Sequence, residues 1–321
     1  MQDCSPPFQF IADRGDARLR LDQVLVRRIR DVSRFSRTVA RQWIEARCVA
    51  IDGRVISRAS LRVREGAAIS VSIPPAVVRR ARPQAESLVL DVLYEDDYLI
   101  AINKPAGMVV HPSYKQHSGT LLNALLGRLG NRTGVQPGIL TRLDKGTSGI
   151  VLAALSPRVH AALQEQARAG HLSKEYLAVV QGAPRPAAGR ISLALARDPA
   201  DRRRVIVLPA GAPSETVYQV IGTVDMPQGP ASLVRCILVT GRTHQIRVHL
   251  AAKGWPILGD PLYGLPAAGI DRQALHAWRI AFSHPMTGQR HTLIAAISAD
   301  IRALLGSAVE GLSADDLLGR A

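Results

Sequence analysis

Thr141-Arg142-Leu143-Asp144-Lys145-Gly146-Thr147-Ser148-Gly149 lies between Gly138-Ile139-Leu140 and Ile150-Val151-Leu152-Ala153-Ala154-Leu155. The flanking runs are continuously apolar and short, the pattern of buried strands. The loop between them is therefore held at both ends by buried elements. It is rich in small residues and carries one acid, Asp144, between two cations, Arg142 and Lys145. Opposite charges favour the ionised carboxylate, which is its nucleophilic form. The same residues also suit a plain Asp-Lys-Gly turn, with Asp144 supporting the backbone. The loop by itself leaves both readings open.

Outward from this loop, the chain from Leu88 onward is rich in strands with few helices. Leu88–Leu93 and Leu99–Ile102 read as strands about a Glu95-Asp96-Asp97 turn, with further strands near 174–181, 203–208, 214–222, 231–240 and 279–283. Helices are expected over Thr120–Leu129 and after Ser156-Pro157, a cap and first-turn pair. Thr243–Lys253 has helical character, ending at Gly254. Strands run together without a βαβ repeat, so the fold class is α+β. Ala183–Gly189 reads as a surface loop and Arg197–Arg204 as a basic one.

Toward the N-terminus, residues 1–17 read as an irregular arm. Leu21, Leu25 and Ile29 then mark one helix, and Ser36 caps a second whose apolar side is Val39, Ala40, Trp43 and Ile44. Arg34, Arg37 and Arg41 form a basic stripe at its start. Asp52-Gly53, within Val49–Ile56, suits a two-residue hairpin turn, and Ala68–Ile73 alternates as a strand does. Pro74-Pro75 marks a boundary. The expected domains are 18–75, a linker over 76–87, and 88–321.

The chain has 321 residues, 47% of them hydrophobic, with a net charge of +15. Length and composition suit two globular domains, and the charge calls for a polyanionic partner. Residues 1–82 hold 17 arginines against 8 acids, a net +9, so more than half of the excess sits in the first quarter. Cys4, Cys48 and Cys236 are odd in number and far apart, giving neither a disulfide framework nor zinc spacing. The N-terminus lacks a basic segment followed by an apolar one, and no run of about 18 apolar residues occurs. A soluble, cytoplasmic monomer is expected. His244 and His249 are not spaced as a zinc-binding helical pair, Ser148 is not in a nucleophile elbow, and no P-loop or dinucleotide fingerprint is present.

The Arg142–Gly149 loop resembles the R-L-D-x-x-T-S-G signature of the RluA-type pseudouridine synthases. Lys174–Gly182, then Thr240–Leu250 continuing through Gly254–Asp260 to Tyr263-Gly264, and finally His284–Gly288, match that family's later motifs in order. The likeness covers about residues 88–300. Most relatives carry His where this chain has Thr141, a departure expected to touch loop packing or RNA contact and not the reaction class. The two helices and hairpin of 18–75 resemble the S-four-type (alpha-L) RNA-binding domain. The resemblance implies a mixed, mainly antiparallel sheet behind a small αα-β domain. It makes Asp144 the essential carboxylate, Arg247 its ion-pair partner and Tyr176 an aromatic against a flipped base. From pattern alone Arg247 also fits a surface arginine, and Tyr176 an ordinary core residue. Ile246 is a candidate apolar floor that fits a core role equally. Arg142, two residues before Asp144, is placed to fill the space of an extruded base or to hold a phosphate.

The reaction so implied breaks the bond between ribose and the uracil nitrogen and rejoins the sugar to ring carbon 5. It needs no redox step and no phosphate donor, so no cofactor is expected. The implied substrate is structured RNA, first of all large-subunit ribosomal RNA. Rival readings are the same enzyme on transfer RNA, a catalytically silent RNA-binding protein, and an RNA-base glycosidase.

Overall fold

The computed structural model describes residues 8–29, 36–72, 83–113, 116–130, 132 and 135–306. The chain divides into two compact units, Met1–Arg82 and Pro83–Ala321.

The first unit runs β1 (Phe8–Ile11), α1 (Leu21–Arg28), α2 (Arg37–Glu45), β2 (Val49–Ile51), β3 (Arg54–Val55) and β4 (Ala68–Val71), with strand order β1-β4-β2-β3. Phe8–Ile11 is thus not part of an irregular arm. It pairs antiparallel with β4, and Phe8 and Phe10 pack on a core of Leu21, Leu25, Trp43 and Ile44. A four-residue alternation is too short to announce itself. The Ser36 hydroxyl accepts from Val39 N, which caps α2. Asp52 and Gly53 both have positive φ, 49° and 75°, the left-handed pair that a two-residue hairpin turn requires.

Asp22 lies buried in this unit and collects three arginines. Arg20 Nε donates to its Oδ1 at 3.0 Å, and Arg37 Nε and Arg41 Nε to its Oδ2 at 3.0 and 2.9 Å. Burial alone would push the carboxyl up, but the hydrogen bonds from Arg20, Arg41 and Arg37 outweigh it and bring it down to about 2. Arg37 and Arg41, expected in a basic stripe, are each tied at one edge to this acid. Arg34 lies outside the described residues.

In the second unit, the strands are β5 (Val92–Glu95), β6 (Leu99–Lys104), β7 (Gly138–Ile139), β8 (Ser148–Ala154), β9 (Ser173–Gln181), β10 (Ala188–Ser192), β11 (Leu195–Arg197), β12 (Val205–Val207), β13 (Glu215–Met226), β14 (Gly229–Leu238), β15 (Leu275–Ser283) and β16 (Arg290–Ile294). The helices are α3 (Leu121–Leu129), α4 (Pro157–Arg168), α5 (Gln245–Ala252) and α6 (Ala299–Leu305). Ten strands form one sheet, ordered β10-β13-β14-β9-β15-β8-β6-β5, with β16 on β15 and β7 on β8. The β15–β8 pair is parallel and the others are antiparallel. Mixed, mainly antiparallel pairing is therefore observed.

The central strands read as continuous apolar runs because both sheet faces are covered. Ile100, Ile102, Val151 and Ala153 join a core with Leu121, Leu125 and Leu129 of α3. Their alternate neighbours, Leu99, Ala101, Ile150, Leu152 and Ala154, join another with Val159 and Leu163 of α4. Two expectations shift here. Residues 88–91 are not strand, the pairing beginning at Val92. Ala188 and Gly189, expected in a loop, open β10. Residues before 88 are already engaged, since Asn123 Nδ2 donates to Gln84 O at 2.7 Å and Gly119 N to Glu86 Oε2 at 2.9 Å.

Candidate active site

The Asp144 loop leaves the sheet between β7 and β8 and is fastened on every side. Thr141 Oγ1 accepts from Leu152 N at 3.0 Å in a buried bond, so this residue holds the loop's entry against β8. Thr147 N donates to Asp144 O at 3.0 Å, and Gly107 N to Lys145 O at 2.8 Å. Gln273 Nε2 donates to Thr147 Oγ1 at 3.0 Å, and Arg272 Nη1 to Gly146 O at 2.9 Å. Gly149 has φ +105°, and a Cβ there would lie 2.2 Å from Ala277 O, so glycine is required where the loop joins the sheet.

Beneath the loop, Lys104 is fully buried at the end of β6. Its Nζ donates to the carbonyls of Pro105 at 2.8 Å, Met108 at 2.9 Å and Lys145 at 3.3 Å. Three acceptors match the three hydrogens of an ammonium. Burial, aided by Arg272, pulls its pKa down to about 7, while Asp144 acts in the opposite direction.

Asp144 meets α5 across the pocket. Arg247 Nη1 donates to Asp144 Oδ2 at 2.8 Å, while Nε and Nη2 grip Asp260 at 2.6 and 2.7 Å. Asp260 Oδ1 also accepts from Leu262 N at 2.9 Å and Tyr263 N at 3.2 Å. The Arg247 side chain is 4% exposed, Asp260 0% and Asp144 29%. The arginine is thus a buried bridge with one end fixed and the other presenting the half-exposed carboxylate to the pocket. Burial pushes the Asp260 carboxyl up, but Arg247 and the two backbone N–H groups prevail and hold it below the ordinary range. The cation bonded to Asp144 is therefore Arg247, 103 residues away in sequence, and not its neighbours Arg142 or Lys145.

The pocket is open to solvent and is lined by Arg142, Asp144, Tyr176, Ile246 and Arg247, with Leu143, Thr147, Leu238, Arg242, His244, Gln245 and Leu275. All five of the residues expected around the uridine meet here. Tyr176 is buried, and burial, then the Asp144 charge, drives its phenol well above the usual range, so it stays protonated. Ile246 is also buried, whereas Arg142 is exposed at the mouth. A second depression, lined by Arg190, Tyr218, Gln219 and Arg235, contains no carboxylate.

Sequence reasoning assigned no role to Asp260, His244, Tyr263 or Lys104. His244 precedes α5 in the left-handed region, and its Nδ1 lies 2.9 Å from Tyr263 Oη. Asp260 and Tyr263 stand inside the matched motif, and the buried Lys104 ends an apolar strand, which is an unusual place for a cation. Among the described residues no group of three or more His, Cys, Asp or Glu is arranged to hold a metal. No helix among them is long and apolar enough to cross a membrane.

The mixed, mainly antiparallel sheet behind a small N-terminal domain agrees with what the comparisons find. The model of the RNA pseudouridylate synthase family matches residues 98–252, and that of the S4 domain residues 19–69. Ribosomal large subunit pseudouridine synthase D of Nitrosomonas europaea is 37% identical over 299 residues, covering 90% of this chain and 84% of its own. An RNA pseudouridine synthase of Chloroflexus aurantiacus is 42% identical over 291 residues, covering 89% of both chains. The solved structure of human RNA Pseudouridylate Synthase Domain Containing 1 shares the fold, with a TM-score of 0.56, 23% identity and coverage of 73% of this chain and 95% of that one. The chain belongs to the RNA pseudouridine synthases, a family of isomerases. Within that family it is of the RluA type, with an S4 RNA-binding domain at residues 19–69.

Proposed function

We propose that this enzyme converts specific uridines of large-subunit ribosomal RNA to pseudouridine, with Asp144 as its reactive carboxylate and without a cofactor. The observation that carries the reading is the Asp260–Arg247–Asp144 bridge, which presents one carboxylate to the pocket while burying its supports. A carboxylate that attacks ring or sugar, or takes a proton from the sugar, acts in its charged form, and Arg247 Nη1 donates a hydrogen bond to Asp144 Oδ2 that fixes its direction. The target uridine must leave its stack to reach the pocket, since the bond to ribose is inaccessible inside a helix. In this reading Tyr176 and Ile246, which both line the pocket, form an aromatic and an apolar wall for the extruded base, and the Tyr176 hydroxyl relays a proton. Arg142 at the mouth suits a phosphate or the gap left in the stack. The S4 domain adds backbone contacts that position and do not read sequence, Arg34, Arg37 and Arg41 being candidates. The ribosomal substrate is supported by the names of several relatives, ribosomal large subunit pseudouridine synthase D.

The test is to map pseudouridine in ribosomal and transfer RNA from cells with and without the protein. The expected result is loss of specific large-subunit sites, restored by the wild-type gene. Loss confined to transfer RNA would reassign the substrate, and no loss in either would overturn the proposal. Release of free uracil from RNA by the purified protein would point instead to a glycosidase.

A further inference from the structure

Next to Asp144 stands a second polar group, His244, held by a hydrogen bond to Tyr263. His244 has φ 56° and ψ 17°, a left-handed conformation that residues with a Cβ rarely hold. The strained backbone turns the imidazole into the pocket, where it is 14% exposed. Its Nε2 lies 3.7 Å from Asp144 Oδ2, too far for a hydrogen bond. Its Nδ1 lies 2.9 Å from Tyr263 Oη.

The hydrogen bonds around Tyr263 favour one tautomer. Val205 N on β12 donates to Tyr263 Oη at 2.7 Å, so that oxygen already accepts one hydrogen. The Tyr263 hydroxyl proton still needs an acceptor, and Nδ1 is within reach. An imidazole that accepts at Nδ1 carries its hydrogen on Nε2. The opposite tautomer would aim an Nε2 lone pair at the Asp144 carboxylate, which the charge disfavours. Burial holds the ring's pKa below the ordinary histidine value, while the facing groups act both ways, Asp144 and Asp260 upward and Arg247 and Arg197 downward. At neutral pH the pocket thus receives one neutral N–H.

We propose that His244 is a further catalytic residue, whose Nε2–H, set in direction by Tyr263, hydrogen-bonds a carbonyl oxygen of the extruded uracil as its bond to ribose breaks. The inference rests on the reading of Asp144 as the reactive carboxylate. When the bond from C1′ to N1 breaks, its electron pair goes to the base and spreads onto the ring oxygens. The pair that later joins C5 to C1′ comes from the same ring, and the C5 hydrogen leaves as a proton to solvent. A neutral donor lowers the energy of that charge without losing its own proton. At 3.7 Å from Asp144 Oδ2 the Nε2–H makes no hydrogen bond to the carboxylate and is open to an oxygen of the base.

The test uses the full-length protein and RNA from cells lacking it, labelled with tritium at uracil carbon 5. Single-turnover rates at saturating protein are read beside RNA affinity. His244→Asn suits the left-handed backbone but is too short to place a donor beside Asp144. Its rate should fall on the order of 100-fold, with affinity within about two-fold. Tyr263→Phe keeps the ring but frees the tautomer, and its rate should fall about ten-fold. The two losses should not multiply in the double variant, because both act through one N–H. His244→Gln, which retains a donor amide, should recover at least part of the Asn loss. A wild-type rate in His244→Asn or in Tyr263→Phe, a loss seen only in affinity, or losses that multiply would overturn the inference. Asp144→Asn separates the levels. If it is inactive while His244→Asn is normal, only the histidine fails, whereas an active Asp144→Asn removes the underlying reading.

Discussion

Replacing Arg247 with Met should damage stability as well as turnover, and the reason is Asp260. The guanidinium donates two hydrogen bonds to Asp260 and one to Asp144, with the arginine 4% and Asp260 0% exposed. Methionine fills much of the volume but leaves a carboxylate in the interior with only two backbone N–H donors. Removing one partner of a buried ion pair costs about 3–5 kcal/mol. At about 2–4 °C per kcal/mol for a unit of this size, the melting temperature of the second unit should drop by about 6–20 °C. The wild-type Asp260 carboxyl is held low, so the pair's contribution is present above the ordinary carboxylate pKa and is lost as pH falls through the depressed one. In the variant, burial without the cation raises Asp260, so acidification relieves it. The gap between the two proteins should therefore be widest near neutral pH and narrow toward acid. Adding Asp260→Asn to Arg247→Met removes the stranded charge and should recover stability, yet not turnover. Calorimetry of the wild-type, single and double variants between pH 4 and 8 reads the stability, and tritium release from labelled RNA reads the turnover. A single variant melting within about 1 °C of wild type, or a double variant no more stable than the single, would refute the buried-bridge argument.

In the S4 domain, Asp22 is held at about 2, so the stability it lends is present above pH 4 and lost between about 4 and 2. The difference in melting temperature between wild type and Asp22→Asn should accordingly vanish over that interval, and a difference constant with pH would contradict it. Deleting residues 1–82 removes a net +9 and leaves the whole pocket. RNA affinity should fall and its salt dependence become shallower, with the saturated rate changed much less; identical salt slopes would deny the S4 domain a role in binding. Exhaustive chelation should leave the chemical step intact when the substrate RNA is kept folded by a monovalent salt, and a loss restored by one added metal would contradict a cofactor-free reaction.

Where the sequence is locally decisive, its reading survives folding. The Asp52-Gly53 turn and the Ser36 and Ser156 caps are set by neighbours within a few residues. Family motifs supplied the long-range pairing of Asp144 with Arg247, which no local pattern contains. The missing pieces are tertiary. Asp260 becomes a support only because Arg247 reaches it, Lys104 because three carbonyls from two loops converge on it, and His244 because Tyr263 and Val205 fix its proton. The two flanking cations expected beside Asp144 do not bond it, and its hydrogen-bonded cation comes instead from α5, 103 residues away. That Arg37 and Arg41 share Asp22 is invisible to a helical wheel, because the acid lies on another helix.

The central claim is that the Asp144 carboxylate performs the isomerisation. It is tested most directly by tritium release from carbon-5-labelled substrate RNA in single turnover, comparing wild type with Asp144→Asn. The change is nearly isosteric and keeps an acceptor for Arg247, so melting temperature and RNA affinity should stay close to wild type. Tritium release should disappear into background. Release at a rate comparable to wild type, from a preparation free of the host's own synthases, would contradict the account.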